Sequence, residues 1–88
     1  MGASFVGANM KGITLFDIFL FGVNFTDADL TNANMRATDL KSPGNPSNFT
    51  RAILDGTDFS RAEISNVIWT DCTGTPIGIS NVDGSPNM

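Results

Sequence analysis

The fold class predicted by the sequence is a single repeat solenoid, and three observations predict it. Large apolar residues recur at every fifth position, small or β-branched residues stand two positions before them, and both series run through most of the 88 residues. A fixed internal period of this kind marks a stacked-repeat architecture. A period of five fits neither the helix, at 3.6 residues per turn, nor the alternating strand.

The first series of centres is Phe5, Met10, Leu15, Leu20, Phe25, Leu30, Met35 and Leu40. Two positions earlier stand Ala3, Ala8, Ile13, Ile18, Val23, Ala28, Ala33 and Thr38. The clearest units read Ala28-Asp29-Leu30-Thr31-Asn32 and Ala33-Asn34-Met35-Arg36-Ala37. The phase breaks across Pro43-Gly44-Asn45-Pro46 and resumes with Phe49, Leu54, Phe59, Ile64 and Trp69, preceded by Ser47, Ala52, Thr57, Ala62 and Val67. A further unit would begin at Cys72, but its centre is Gly74, and Thr75-Pro76 ends the pattern. The thirteen apolar centres are the expected structural core.

These units resemble the pentapeptide-repeat family, whose motif is a small residue, then Asp or Asn, then Leu or Phe, then two variable positions. The resemblance covers residues 3 to about 73. It implies an all-β fold, a right-handed quadrilateral β-helix in which four pentapeptides form the four sides of each square coil. Thirteen units then make a little over three coils. Stacked coils pair backbone to backbone at about 4.8 Å, so equivalent side chains form ladders. The centres fill the axis, and Ala sits where the turning backbone leaves little room. Phe19, Ile53 and Ile68 depart from the motif by placing an apolar residue before the centre.

Leu40 to Phe49 spans nine residues, one unit plus four. Two prolines and a glycine in the break are turn signals and poor ladder material, so residues 43–46 are expected to bulge from a corner. The alternative lets them replace one side of the square. Corner placement stacks Phe5, Phe25, Phe49 and Trp69 on one face and Ala8, Ala28, Ala52 and Cys72 along one inner corner. It also alternates Asp27, Arg51 and Asp71 up one outer column. The expected division is therefore a solenoid over 1–74, with the loop at 43–46, and an irregular tail over 75–88, from which Ile77, Ile79 and Val82 could fold over the last coil. Because the first unit starts at Ala3, the chain is expected either to be a processed or excised piece of a longer solenoid or to have that end covered by something else.

Composition narrows the function. Five basic against nine acidic side chains, net −4, disfavour a general nucleic-acid binder, which needs a basic face. The absence of His and the single Cys remove most zinc sites, a His-dependent triad and any internal disulfide. The most apolar stretch, Ile13 to Phe25, contains Asp17, Gly22 and Asn24 and cannot span a membrane. Asp27 with Asp29, and Asp55 with Asp58, are close carboxylates, but acid–base work needs a cleft to separate their pKa values. A convex square rod offers none. Cys72 has no base to activate it and reads as a buried small residue. No catalytic, cofactor or metal residue is therefore assigned.

The outward apolar residues carry the functional signal. Phe16, Phe19 and Phe21 fall at outward positions on two adjacent sides of the first coil, with Ile18 and Leu20 expected to point inward between them. Three exposed Phe on one coil mark a candidate protein interface. The expected role is a non-enzymatic interaction module or small structural subunit of a larger assembly, its partner another protein or a second copy covering the N-terminal coil. The resemblance adds cyanobacteria and the chloroplast thylakoid lumen as settings. It also adds an alternative, an acidic DNA-mimic rod that binds a topoisomerase, which the low net charge and the cations Lys11, Arg36, Lys41, Arg51 and Arg61 fit poorly. A second alternative is an ice-binding solenoid, suggested by the column Thr26, Thr50 and Thr70 above Val6.

Overall fold

In the computed structural model, which describes residues 3–41 and 44–79, the backbone turns a corner every five residues and pairs with itself one circuit later. All pairs are parallel and fall on four sides. Ser4, Asn24, Asn48 and Ile68 stack on the first side, and Asn9, Asp29, Ile53 and Thr73 on the second. Thr14, Asn34, Asp58 and Ile77 stack on the third, and Phe19, Asp39 and Glu63 on the fourth. Each side contributes one paired residue per coil, so the β character lies in ladders across coils rather than in extended strands. Pairing also continues past Cys72, through Thr73 and Ile77.

Successive pairs are twenty residues apart at first, and twenty-four apart where Asn24 meets Asn48 and Asp29 meets Ile53. Asn48 thus occupies the first side, directly after Asp39 on the fourth, and the additional four residues fall between them. Part of that segment, Ser42 and Pro43, lies outside the described residues, as do Ser80–Met88 of the tail, Val82 among them. Two contacts hold the exit of the break. Ser47, buried, donates its hydroxyl to the Leu20 carbonyl and accepts the Val23 N–H. Asn45 lies against Gly22, where any Cβ would collide with its side chain.

The corners explain the rest of the motif. Among the described residues, the one two places after each centre has positive φ, including Asp17, Asp27, Asn32, Ala37, Arg51 and Arg61. The N–H of the next residue closes a turn onto the centre's carbonyl, as Ala28 does onto Phe25 and Ala33 onto Leu30. Positive φ at the third turn residue is type II geometry, which favours Gly, Asn and Asp. Ala37 and Arg51 bear the cost, roughly 1–2 kcal/mol, while donating to Ser60 and Thr70 in the next coil.

The Asp or Asn before each centre serves the same corner. Its Oδ1 accepts the backbone N–H two residues on: Asn24 from Thr26, Asp29 from Thr31, Asn34 from Arg36, Asn48 from Thr50 and Asp58 from Ser60. That N–H is otherwise unserved by the turn, so an Asx-type bond answers an obligatory donor. Phe19, Ile53 and Ile68 have no acceptor to offer there.

Inside, Phe25, Leu30, Met35, Leu40, Phe49, Leu54 and Phe59 are almost wholly buried, with Met10, Leu20 and Trp69 close behind. Phe5, Leu15 and Ile64 are only partly covered. Phe5, Phe25, Phe49 and Trp69 stack with centroids 5.5, 4.7 and 5.0 Å apart, and Phe59 meets Phe49 and Trp69 edge-on across the axis. Burial of each such side chain contributes about 1.5–3 kcal/mol, and offset stacking adds to it. Ile18, expected to point inward, is 37% exposed. Its counterpart one coil on, Thr38, is fully buried because coils flank it on both sides, whereas Ile18 has a neighbour on one side only.

Candidate protein interface on the first coil

The candidate interface is assembled by the fourth side of the first coil and the two corners that bound it. Phe16 opens the corner before that side, Phe19 is its paired residue, and Phe21 follows in the next corner. Phe19 is 67% exposed and Phe16 48% exposed, while Phe21 is half-buried. The Phe19 and Phe21 rings lean together at 5.6 Å and 37°. With Ile18, they form an apolar strip along one edge of the molecule. The same side carries Asp39 and Glu63 in the coils above, so the strip is confined to one end. Val6, Ile53, Ile68 and Ile77 are also exposed, but they lie on other sides or corners, apart from one another. Ile77 was not recognised as outward from the sequence; its place in the third-side ladder depends on pairing beyond the last regular unit.

The charged residues are organised between coils. Arg51 grips Asp27 through Nε and Nη2 at 2.8 and 3.1 Å. Looser pairs join Lys11 to Asp29 at 3.7 Å, Arg36 to Asp58 at 3.9 Å and Lys41 to Glu63 at 4.0 Å. The sequence neighbours Asp27 and Asp29 therefore serve different partners, as do Asp55 and Asp58. The hydrogen bonds from Thr31 hold the Asp29 carboxyl below its ordinary value, those from Ser60 do the same for Asp58, and the Arg51 guanidinium does so for Asp27. Cys72 donates its thiol to the Phe49 carbonyl, and burial pushes its pKa up to about 11. The Thr26 and Thr50 hydroxyls are turned onto Asn24 and Asn48 rather than outward.

Among the described residues no surface cavity opens, and no three His, Cys, Asp or Glu side chains converge as a metal site. No helix among them is long and apolar enough to cross a membrane.

Among curated proteins no sequence matches the chain. Of solved structures, HetL, a pentapeptide repeat protein involved in heterocyst differentiation regulation in the cyanobacterium Nostoc sp. strain PCC 7120, is similar at 22% identity and TM-score 0.46 over 82% of this chain. A pentapeptide repeat protein of the Arabidopsis thaliana thylakoid lumen is similar at 21% identity and TM-score 0.46 over 81%. The chain spans 34% of the first and 57% of the second. The profile of pentapeptide repeats matches eight copies over residues 20–42 and 47–68, just over half of the sequence, and the chain belongs to the pentapeptide-repeat family.

Proposed function

We propose that this chain is a non-enzymatic protein-interaction module whose recognition surface is the apolar strip at Phe16, Phe19 and Phe21. The observation that carries the reading is Phe19. It stands 67% exposed in a ladder position that Asp39 and Glu63 occupy in the coils above. An apolar ring there leaves a large surface in water. That cost is recovered when a partner covers the ring. A stiff four-sided solenoid suits the task, because its backbone ladders hold the patch with little entropy to lose on binding.

The test compares the wild-type chain with the variant Phe16→Ser, Phe19→Asn, Phe21→Lys, and with Phe19→Asn alone. Crosslinking in the native source followed by mass spectrometry identifies what contacts the first coil. The expected result is an unchanged far-UV spectrum for both variants and loss of those crosslinked partners. Partners retained by both variants, or a wild-type chain that stays monomeric and crosslinks to nothing, would overturn the proposal.

A further inference from the structure

We infer that the Phe strip docks a basic, apolar-faced segment of another protein rather than a second copy of this chain. The inference rests on the interaction reading above and adds the chemistry of the partner. Asp17 sits in the corner beside Phe16, and Asp39 is stacked directly over Phe19. Among the described residues neither carboxylate takes part in an ion pair. Arg36 and Lys41 lie one coil above Phe16 and Phe21, but each faces a carboxylate of the following coil, Asp58 at 3.9 Å and Glu63 at 4.0 Å. Counting Arg61, whose charge also acts on Asp58, four carboxylates stand beside three cations near the strip, a local surplus of one negative charge.

A twofold contact between two such strips would bring both surpluses together on chains that each carry net −4. Like charges brought together at a drying interface weaken association and slow encounter. They adjoin the rings, within a Debye length of about 8–10 Å, so physiological salt does not remove the effect. A segment that presents Leu or Phe anchors flanked by Lys or Arg satisfies both features at once. Its apolar face covers the rings, and its cations reach Asp17 and Asp39.

The experiment uses two labelled amphipathic peptides with the same leucine face, one with lysine and one with glutamate on the polar face. Binding is read by fluorescence anisotropy against the full chain, with sedimentation of the chain alone. The Leu–Lys peptide is expected to bind at least about tenfold more tightly than the Leu–Glu peptide, with the margin shrinking as salt rises. Asp17→Asn with Asp39→Asn should narrow that margin several-fold. Asn tolerates the positive φ at Asp17, and its amide oxygen keeps the bond that Asp39 accepts from the Lys41 N–H. Phe16→Ser with Phe19→Asn should abolish binding of both peptides. Equal binding of the two peptides, or a wild-type dimer lost in the Phe variant, would overturn the partner chemistry while leaving the strip an interface. Binding indifferent to the Phe substitutions, without such a dimer, would remove both readings.

Discussion

Ala28 has no exposed surface, and its carbonyl accepts the Ile53 N–H while Ala8 below accepts that of Asp29. The equivalent positions hold nothing larger than Ile, so an Arg side chain has nowhere to go there. Ala28→Arg should therefore abolish folding, since it places a cation among apolar neighbours without a partner. Thr31 lies outward and half-buried, and its hydroxyl bonds Asp29. Thr31→Arg should cost only about 1 kcal/mol, the worth of one surface hydrogen bond. Urea titration of the two variants separates these outcomes. Cys72 offers a second test in the same inner column. Its pKa is raised from 9.0 to about 11, so the stability tied to the protonated thiol is intact below pH 9 and is lost as pH rises through about 11. At a pH of about 8, iodoacetamide should alkylate the native thiol about a hundredfold more slowly than the unfolded one, which follows from two pKa units of thiolate fraction. Equal rates would place the thiol in water.

At the scale of the side and its corner, the unit is an Asx acceptor, an apolar centre and a type II turn. Thr31 and Ser60 each donate both hydroxyl and N–H to one carboxylate, Asp29 or Asp58. Both pKa values are lowered for that reason. A carboxylate depressed in the folded state contributes stability that is present above its unfolded pKa and lost as pH falls through the folded value. Urea midpoints measured at pH about 5 and about 2 should therefore drop for the wild type and drop less for Asp29→Asn with Asp58→Asn, whose amide oxygens still accept but do not titrate. Equal drops would mean that these bonds do not set the acid limit.

The whole molecule is held by its axis. Phe49 is fully buried between the Phe25 and Trp69 rings, with Phe59 at its edge. Phe49→Ala should cost about 3–5 kcal/mol, a large part of the roughly 5–15 kcal/mol that stabilises a natural domain. At about 4–8 °C per kcal/mol for a domain of this size, the melting temperature should fall by at least about 12 °C. Trp69 is the sole tryptophan and stacks on the mutated ring, so its fluorescence follows the transition directly. A fall of less than about 4 °C would show that the ring column is not the core of the molecule.

The family and the repeat architecture were legible in the sequence because every coil imposes the same demand: an apolar side chain on the axis and a small one at the corner, once per side. A five-residue period is the direct imprint of that demand. Positive φ at the corners left a fainter mark in Gly7, Gly12, Gly22, Asn32 and Asn66, diluted by Ala37, Arg51 and Arg61, whose hydrogen bonds or context override local preference. What no local pattern could supply was how far each residue is covered and which ion pairs close. Phe16 and Phe19 stay in water and Phe21 is half-covered, although all three occupy outward positions. Ile18 is exposed and Thr38 buried, although both occupy the same place in the motif. The Arg51–Asp27 clamp joins residues twenty-four apart, a separation that depends on how the break is accommodated. These features belong to the stacking. Exposure depends on whether a coil lies on one side of a residue or both, and an ion pair depends on which residues the register brings opposite each other.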